Sequence, residues 1–132
     1  MAESMWKIPT PTETRTPLSL MREQGGLLAQ STNGYVVGQA SALGTGQDIR
    51  SDLSLVVPAL NGYAYLALTL LQPVMTSYPA KLYAHVQGGK IYEVKSLDEF
   101  EGDLRQVLSS DEMAALISNL LVQASAIRGH NP

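Results

Sequence analysis

Between Asp52 and Lys81 the chain runs for 28 residues without a charged side chain. A membrane-spanning helix needs about 20 apolar residues in succession, so length alone admits one. The internal pattern does not. Pro58, Asn61 and Gly62 cluster a third of the way along, and Gln72-Pro73 interrupts the far end. Asn-Gly flanked by apolar runs is a turn signal. After it, "YAYLALTLL" alternates, with Ala64, Leu66, Leu68 and Leu70 on one side and Tyr63, Tyr65, Ala67 and Thr69 on the other. A period of two with both faces largely apolar predicts a central strand covered on both sides. Before the turn, Leu53, Leu55 and Val57 alternate with Ser54 and Val56. The run therefore predicts two strands joined by "PALNG", at the centre of a sheet.

Helical periodicity flanks this pair. In "TPLSLMREQGGLLAQSTNG", Thr16 is placed to cap a helix that has Pro17 at its first position. Leu18, Met21, Gly25 and Leu28 share a stripe, and Asn33-Gly34 suits a left-handed end. Gly25-Gly26 costs such a helix about 1 kcal/mol per glycine relative to alanine, which predicts close packing on the sheet. "YVVGQASAL" then reads as a strand and "GTGQD" as a loop, and "AKLYAHVQGGKIYEVK" as a hairpin turning on Gly88-Gly89. Two more helices follow, each opened by an expected capping box, Ser96 with Glu99 and Ser109 with Glu112. Phe100, Leu104, Val107 and Leu108 form the buried stripe of the first. Met113, Leu116, Ile117, Leu120, Leu121 and Ala124 form that of the second, which Gly129 ends.

The order is helix, about five strands, helix, helix. Sequential strands on short loops predict a mostly antiparallel sheet, and helices at both ends of the chain predict a single α+β layer over residues 17–132. Residues 1–16 hold Pro9 and Pro11 and predict an extended arm. Trp6 within it is expected to dock on its own domain rather than on a partner. The arm has neither the positive nor the apolar region of a secretory signal.

Composition narrows the chemistry. The 132 residues have a net charge of −3, no cysteine and two histidines, and their nine basic residues are scattered. No basic patch points to nucleic acid. The absence of cysteine removes disulfides and thiolate ligands and fits a reducing, cytoplasmic setting. The acidic group Asp98, Glu99, Glu101, Asp103, Asp111 and Glu112 falls mostly in first helical turns, where negative charge complements the macrodipole. It is read as capping, not as a metal site. His130 lies in the terminal "GHNP", which leaves His85 as the one histidine in an expected element. Gly44-Thr45-Gly46 matches no phosphate-binding loop, and no G-x-S-x-G elbow is present. No cofactor is implied. "REQGGLLAQSTNGYVVG" followed by "LVVPALNGYAY" resembles small bacterial proteins, which implies no mechanism.

What remains is the last hairpin. A two-residue turn at Gly88-Gly89 would pair Gln87 with Lys90, His85 with Tyr92 and Tyr83 with Val94. Leu82, Ala84, Val86 and Ile91 then face the core. Lys81, Tyr83, His85, Lys90 and Tyr92 form the opposite face, which Tyr63 and Tyr65 extend. Tyrosines on a rigid sheet supply contact area at low entropic cost. The expectation is a noncatalytic interaction module of the inhibitor, immunity or chaperone-like kind, which binds a protein or a second copy of itself through this face. The alternative is a small-molecule binder or small enzyme with a pocket between sheet and helices that uses His85.

Overall fold

The computed structural model describes residues 2–10 and 15–128. Pro11, Gly129 and His130 lie outside them. Helix α1 (Pro17–Ser31) is followed by strands β1 (Val37–Thr45), β2 (Asp48–Val57), β3 (Tyr63–Pro73), β4 (Ala80–Ala84) and β5 (Lys90–Val94). Helices α2 (Leu97–Leu108) and α3 (Asp111–Arg128) close the chain. The strands form one antiparallel sheet in chain order, so each pairs with its successor. The uncharged run is β3 with the second half of β2. Among the described residues, no helix is long and apolar enough to cross a membrane.

All three helices cover the same face. The side chains of Leu53, Leu55, Val57, Leu68, Leu70, Ala80, Leu82, Ala84 and Val94 meet Leu20 and Met21 of α1, Phe100, Leu104 and Val107 of α2, and Met113, Leu120 and Ala124 of α3. Leu108, Leu116, Ile117 and Leu121 close its edges. The helical stripes read from the 3.6-residue period pack in α2 and α3, while in α1 Leu20 joins Met21 in the core and the expected Leu18 does not.

Helix α1 reaches the sheet through glycine. A Cβ on Gly25 would overlap the carbonyl oxygen of Gly38 in β1, and one on Gly38 would overlap the backbone of Gly25. Backbone lies on backbone, so the packing reading of the glycine pair holds for Gly25. Gly26 faces open space.

Four local expectations are corrected. "GTGQD" is not a loop: β1 and β2 run on until Thr45 pairs with Asp48, which leaves Gly46 and Gln47 as a two-residue turn with Gly46 at φ +76. The cap of α3 is Ser110, whose Oγ accepts from the Met113 amide, and Ser109 instead donates to the Arg105 carbonyl at the end of α2. Glu112 therefore completes no capping box. At α2 Ser96 accepts from the Glu99 amide, but Glu99 reaches past it to the Lys95 amide. Trp6 is not docked on its own domain, being 82% exposed.

Denaturant unfolding checks two consequences. Gly26→Ala should stabilise by about 0.5–1 kcal/mol through helix propensity. Gly25→Ala should destabilise by about 1–3 kcal/mol, because the added methyl meets backbone that cannot rotate away. At the last helix, Ser110→Ala should cost about 1 kcal/mol and Glu112→Ala clearly less.

Candidate functional site

The site follows from which side chains the sheet turns away from the helices. In β3 the alternation changes phase: Ser54 pairs with Leu66 but Leu53 pairs with Leu68, which leaves Ala67 as an extra, unpaired residue. Such a bulge moves every residue beyond it to the other face. Tyr63 and Tyr65 therefore lie with Leu55 and Val57 on the helix side, and Tyr65 packs on the core. Ala64 and Leu66 face outward, as do Thr69 and Leu71 beyond the bulge. The expected placement of Tyr63 and Tyr65 beside Thr69, and of Leu66 beside Leu68, is overturned by this one residue.

The last hairpin has a different register from the expected one. Ala84 pairs with Lys90, Tyr83 with Ile91 and Leu82 with Tyr92. The Gly89 amide donates to the Ala84 carbonyl at 3.0 Å, so the connection takes five residues rather than two. His85–Gln87 form a single 3₁₀ turn, which packs Val86 on the core and carries His85 out of the strand. Tyr92 and Lys90 consequently leave the expected face. Tyr92 packs on the core and donates to Gln87 at 2.7 Å, and the Lys90 ammonium sits over its ring at 4.8 Å. Ile91, expected in the core, is 57% exposed on the outer side beside Tyr83.

Of the seven expected residues, Lys81, Tyr83 and His85 stay together on the open face. Lys90, Tyr92, Tyr63 and Tyr65 do not join them. What the sheet adds is a polar chain that crosses two strands and ends on the 3₁₀ turn. Arg50 Nε donates to both oxygens of Asp52 at 3.0 and 3.1 Å. The Thr69 hydroxyl donates to Asp52 Oδ1 at 2.7 Å, and His85 Nε2 lies 3.0 Å from the same hydroxyl. Thr69 has one proton, and the ionised carboxylate can only accept it. Thr69 Oγ1 therefore accepts from His85 in the tautomer that carries a hydrogen on Nε2. Threonine stands between carboxylate and imidazole, the reverse of the order in which histidine would draw the hydroxyl proton. Thr69 is also 5% exposed. The arrangement satisfies and fixes polar groups rather than activating a nucleophile.

Around this chain the open face carries apolar and polar side chains together. The register aligns Val37, Val56 and Ala64 in one row, Gln39, Ser54 and Leu66 in the next, and Leu43, Arg50, Leu71, Lys81 and Glu93 in the last. Leu43 is 55% exposed. None of these side chains belongs to the core cluster or packs on it.

Cavities on the helix side among the described residues include the following three. One of about 230 Å³ lies between α1 and α3 over Leu53 and Leu55, and one of about 390 Å³ between α1 and α2. The third, about 700 Å³, lies at the end of the sheet where α1 and α2 begin. His85 lines none of the three, so the expected pocket with His85 in its wall is not among them. Among the described residues no group of three histidine or acidic side chains could hold a metal ion. In the acidic segment, burial first and the Glu99 charge second raise the Asp103 carboxyl above its usual range, while Lys90 opposes them.

No protein-family model, no curated protein and no solved structure matches this chain.

Removing the Thr69 hydroxyl strands both of its partners. Thr69→Val should cost about 1–3 kcal/mol, the penalty of buried polar groups left unpaired, when unfolding is followed by circular dichroism. Asp103 acts in the opposite sense. A carboxyl raised in the folded state destabilises the fold while it is ionised. Asp103→Asn should therefore raise the melting temperature at neutral pH. That gain should vanish as the pH falls through the Asp103 titration and the wild-type carboxyl gains its proton.

Proposed function

We propose that this chain is a noncatalytic protein-interaction module whose binding surface is the open face of its sheet, with Lys81, Tyr83 and His85 among the contacting residues. The observation that carries the reading is the one-sided cover. Three helices pack on one face, and among the described residues nothing packs on the other, although Leu66, Leu71, Leu43 and Ile91 stand on it. Contiguous apolar surface of a few hundred Å² is uncommon on a monomer and marks interfaces. Five strands at roughly 4.8 Å spacing present a plan area on the order of 600 Å². Two such faces stacked would bury about 1,200 Å², the lower bound of a standard interface. A second copy is thus the simplest occupant, since twofold self-association is the commonest symmetric solution. Both signs of charge stand on the face, Arg50 and Lys81 against Asp52 and Glu93, as self-complementary contact requires.

Light scattering at micromolar concentration provides the test. The wild type should scatter as a dimer, and Leu43→Glu with Ile91→Glu should return it to the monomer mass without lowering its melting temperature, since both positions are exposed. A monomeric wild type would remove self-association. Photo-crosslinkers placed at Leu66 and Leu43 should then capture a different protein in the host. A monomer with no crosslinked partner would end the interaction reading.

A further inference from the structure

The cavities on the helix side differ in charge. Arg15 stands on the wall of the cleft of about 700 Å³, with Lys95 and Asp98, and on that of the cavity between α1 and α2, with Glu101 and Arg105. The cavity of about 230 Å³ between α1 and α3 has no charged side chain on its wall among the described residues. Seven of its eleven lining residues are leucine, isoleucine or methionine, and two are glycine. Leu53, Leu55 and Met113 form its floor, each no more than 2% exposed. Leu27, 45% exposed, stands at its mouth with the half-buried Gln24.

Protein interiors fill to crystal density, and voids wider than a water molecule are few in a domain. This one has a cause in the sequence. Gly25 and Gly38, which bring α1 onto β1 backbone to backbone, both stand on its wall, so the missing side chains that seat the helix also leave bare backbone beside the leucines. Water gains little there, because it needs two to four polar partners and the side chains of the floor offer none. An apolar cavity of roughly 150 Å³ holds benzene, so about 230 Å³ has room for a second fused ring. Glycine backbone suits the flat face of a ring, and the Met113 sulfur favours an aromatic body over an aliphatic one. A charged ligand would lose its water with no counter-ion on the wall. Gln24 offers an amide that both donates and accepts, so one polar hydrogen can be met at the mouth.

We propose that this cavity binds a small neutral aromatic molecule of one or two fused rings, its flat body on Leu53, Leu55 and Met113 and a polar N–H or O–H turned to Gln24. The site lies on the other side of the sheet from the proposed interface and does not depend on it.

Titration of the ¹⁵N-labelled full chain with indole, followed by amide shifts, tests this. Indole should shift the amides of Gly25, Leu28, Leu55 and Ile117 along one saturating curve. Indole-3-acetate, which adds a carboxylate, should bind about tenfold more weakly. Gln24→Leu should weaken indole about three- to tenfold and leave benzothiophene, of the same shape but without a polar hydrogen, unchanged. Ile117→Trp fills the cavity and should abolish the shifts. Where that larger side chain lowers stability, Leu27→Glu supplies the reading: the position is exposed, and a charge at the mouth should weaken indole about tenfold. Ile91→Glu on the open face should change nothing, which separates this site from the interface. No shift at millimolar indole, shifts confined to other residues, indole-3-acetate binding as tightly, equal losses of indole and benzothiophene in Gln24→Leu, or full binding by folded Ile117→Trp or by Leu27→Glu would each overturn the proposal.

Discussion

The contact between Gly25 and Gly38 fixes how the layers meet. A helix normally stands off a sheet by the depth of its side chains, and here two missing Cβ atoms let α1 lie directly on β1. With α1 seated over β1, its N-terminus falls at the same end of the sheet as that of α2, and the cleft opens between them. Leu20 and Met21 are pressed into the core that α2 and α3 complete. The helices are thereby committed to one face, and the other is left to solvent or to a partner. Each glycine costs the helix or strand backbone entropy that alanine would spare, and the close packing is what offsets it.

The element order and the helical stripes were legible because each rests on a repeated signal. Phe100, Leu104 and Val107 recur at helical spacing, and a single misplaced residue would not hide them. The outer face was misread for the opposite reason. In "YAYLALTLL" every residue is tolerable on either face, so nothing in the pattern marks Ala67 as the extra one. One unmarked residue then transferred Tyr63 and Tyr65 to the wrong side. The hairpin failed similarly: Gly88 and Gly89 both have positive φ, as a two-residue turn requires, yet the Ala84 carbonyl takes the Gly89 amide and closes a longer loop. At α3, Ser109 and Ser110 are equally good caps by residue type, and only the path of the chain out of α2 chooses between them.

The polar chain from Arg50 to His85 was invisible because its members come from two strands and a 3₁₀ turn, with Asp52 and Thr69 separated by 17 positions and Thr69 and His85 by 16. Asp52 marked the boundary of the uncharged run and was read as its flank. The one sequence trace is a polar threonine inside an apolar strand, opposite a charge only once the register is known. Strand β2 alternates Arg50 and Asp52 outward with Ser51 inward, so a single tripeptide contributes to both faces.

That alternation bears on what the open face can do. Covering an isolated carboxylate on a sheet would cost several kcal/mol of desolvation, enough to forbid an interface there. Asp52 is not isolated. It accepts from Arg50 and Thr69 within its own chain, and Thr69 accepts from His85, so a partner laid over this face would meet a charge already paired and a hydroxyl already satisfied. The residual cost is small beside the gain from burying Leu66, Leu71 and Tyr83 around it, at about 25 cal/mol per Å². A fixed dipole in an apolar surround also disfavours any partner that lacks a complementary group at that point, and so sets register where apolar contact alone would slide. The internal pairing of Asp52 makes this face fit for burial, and its position makes that burial selective.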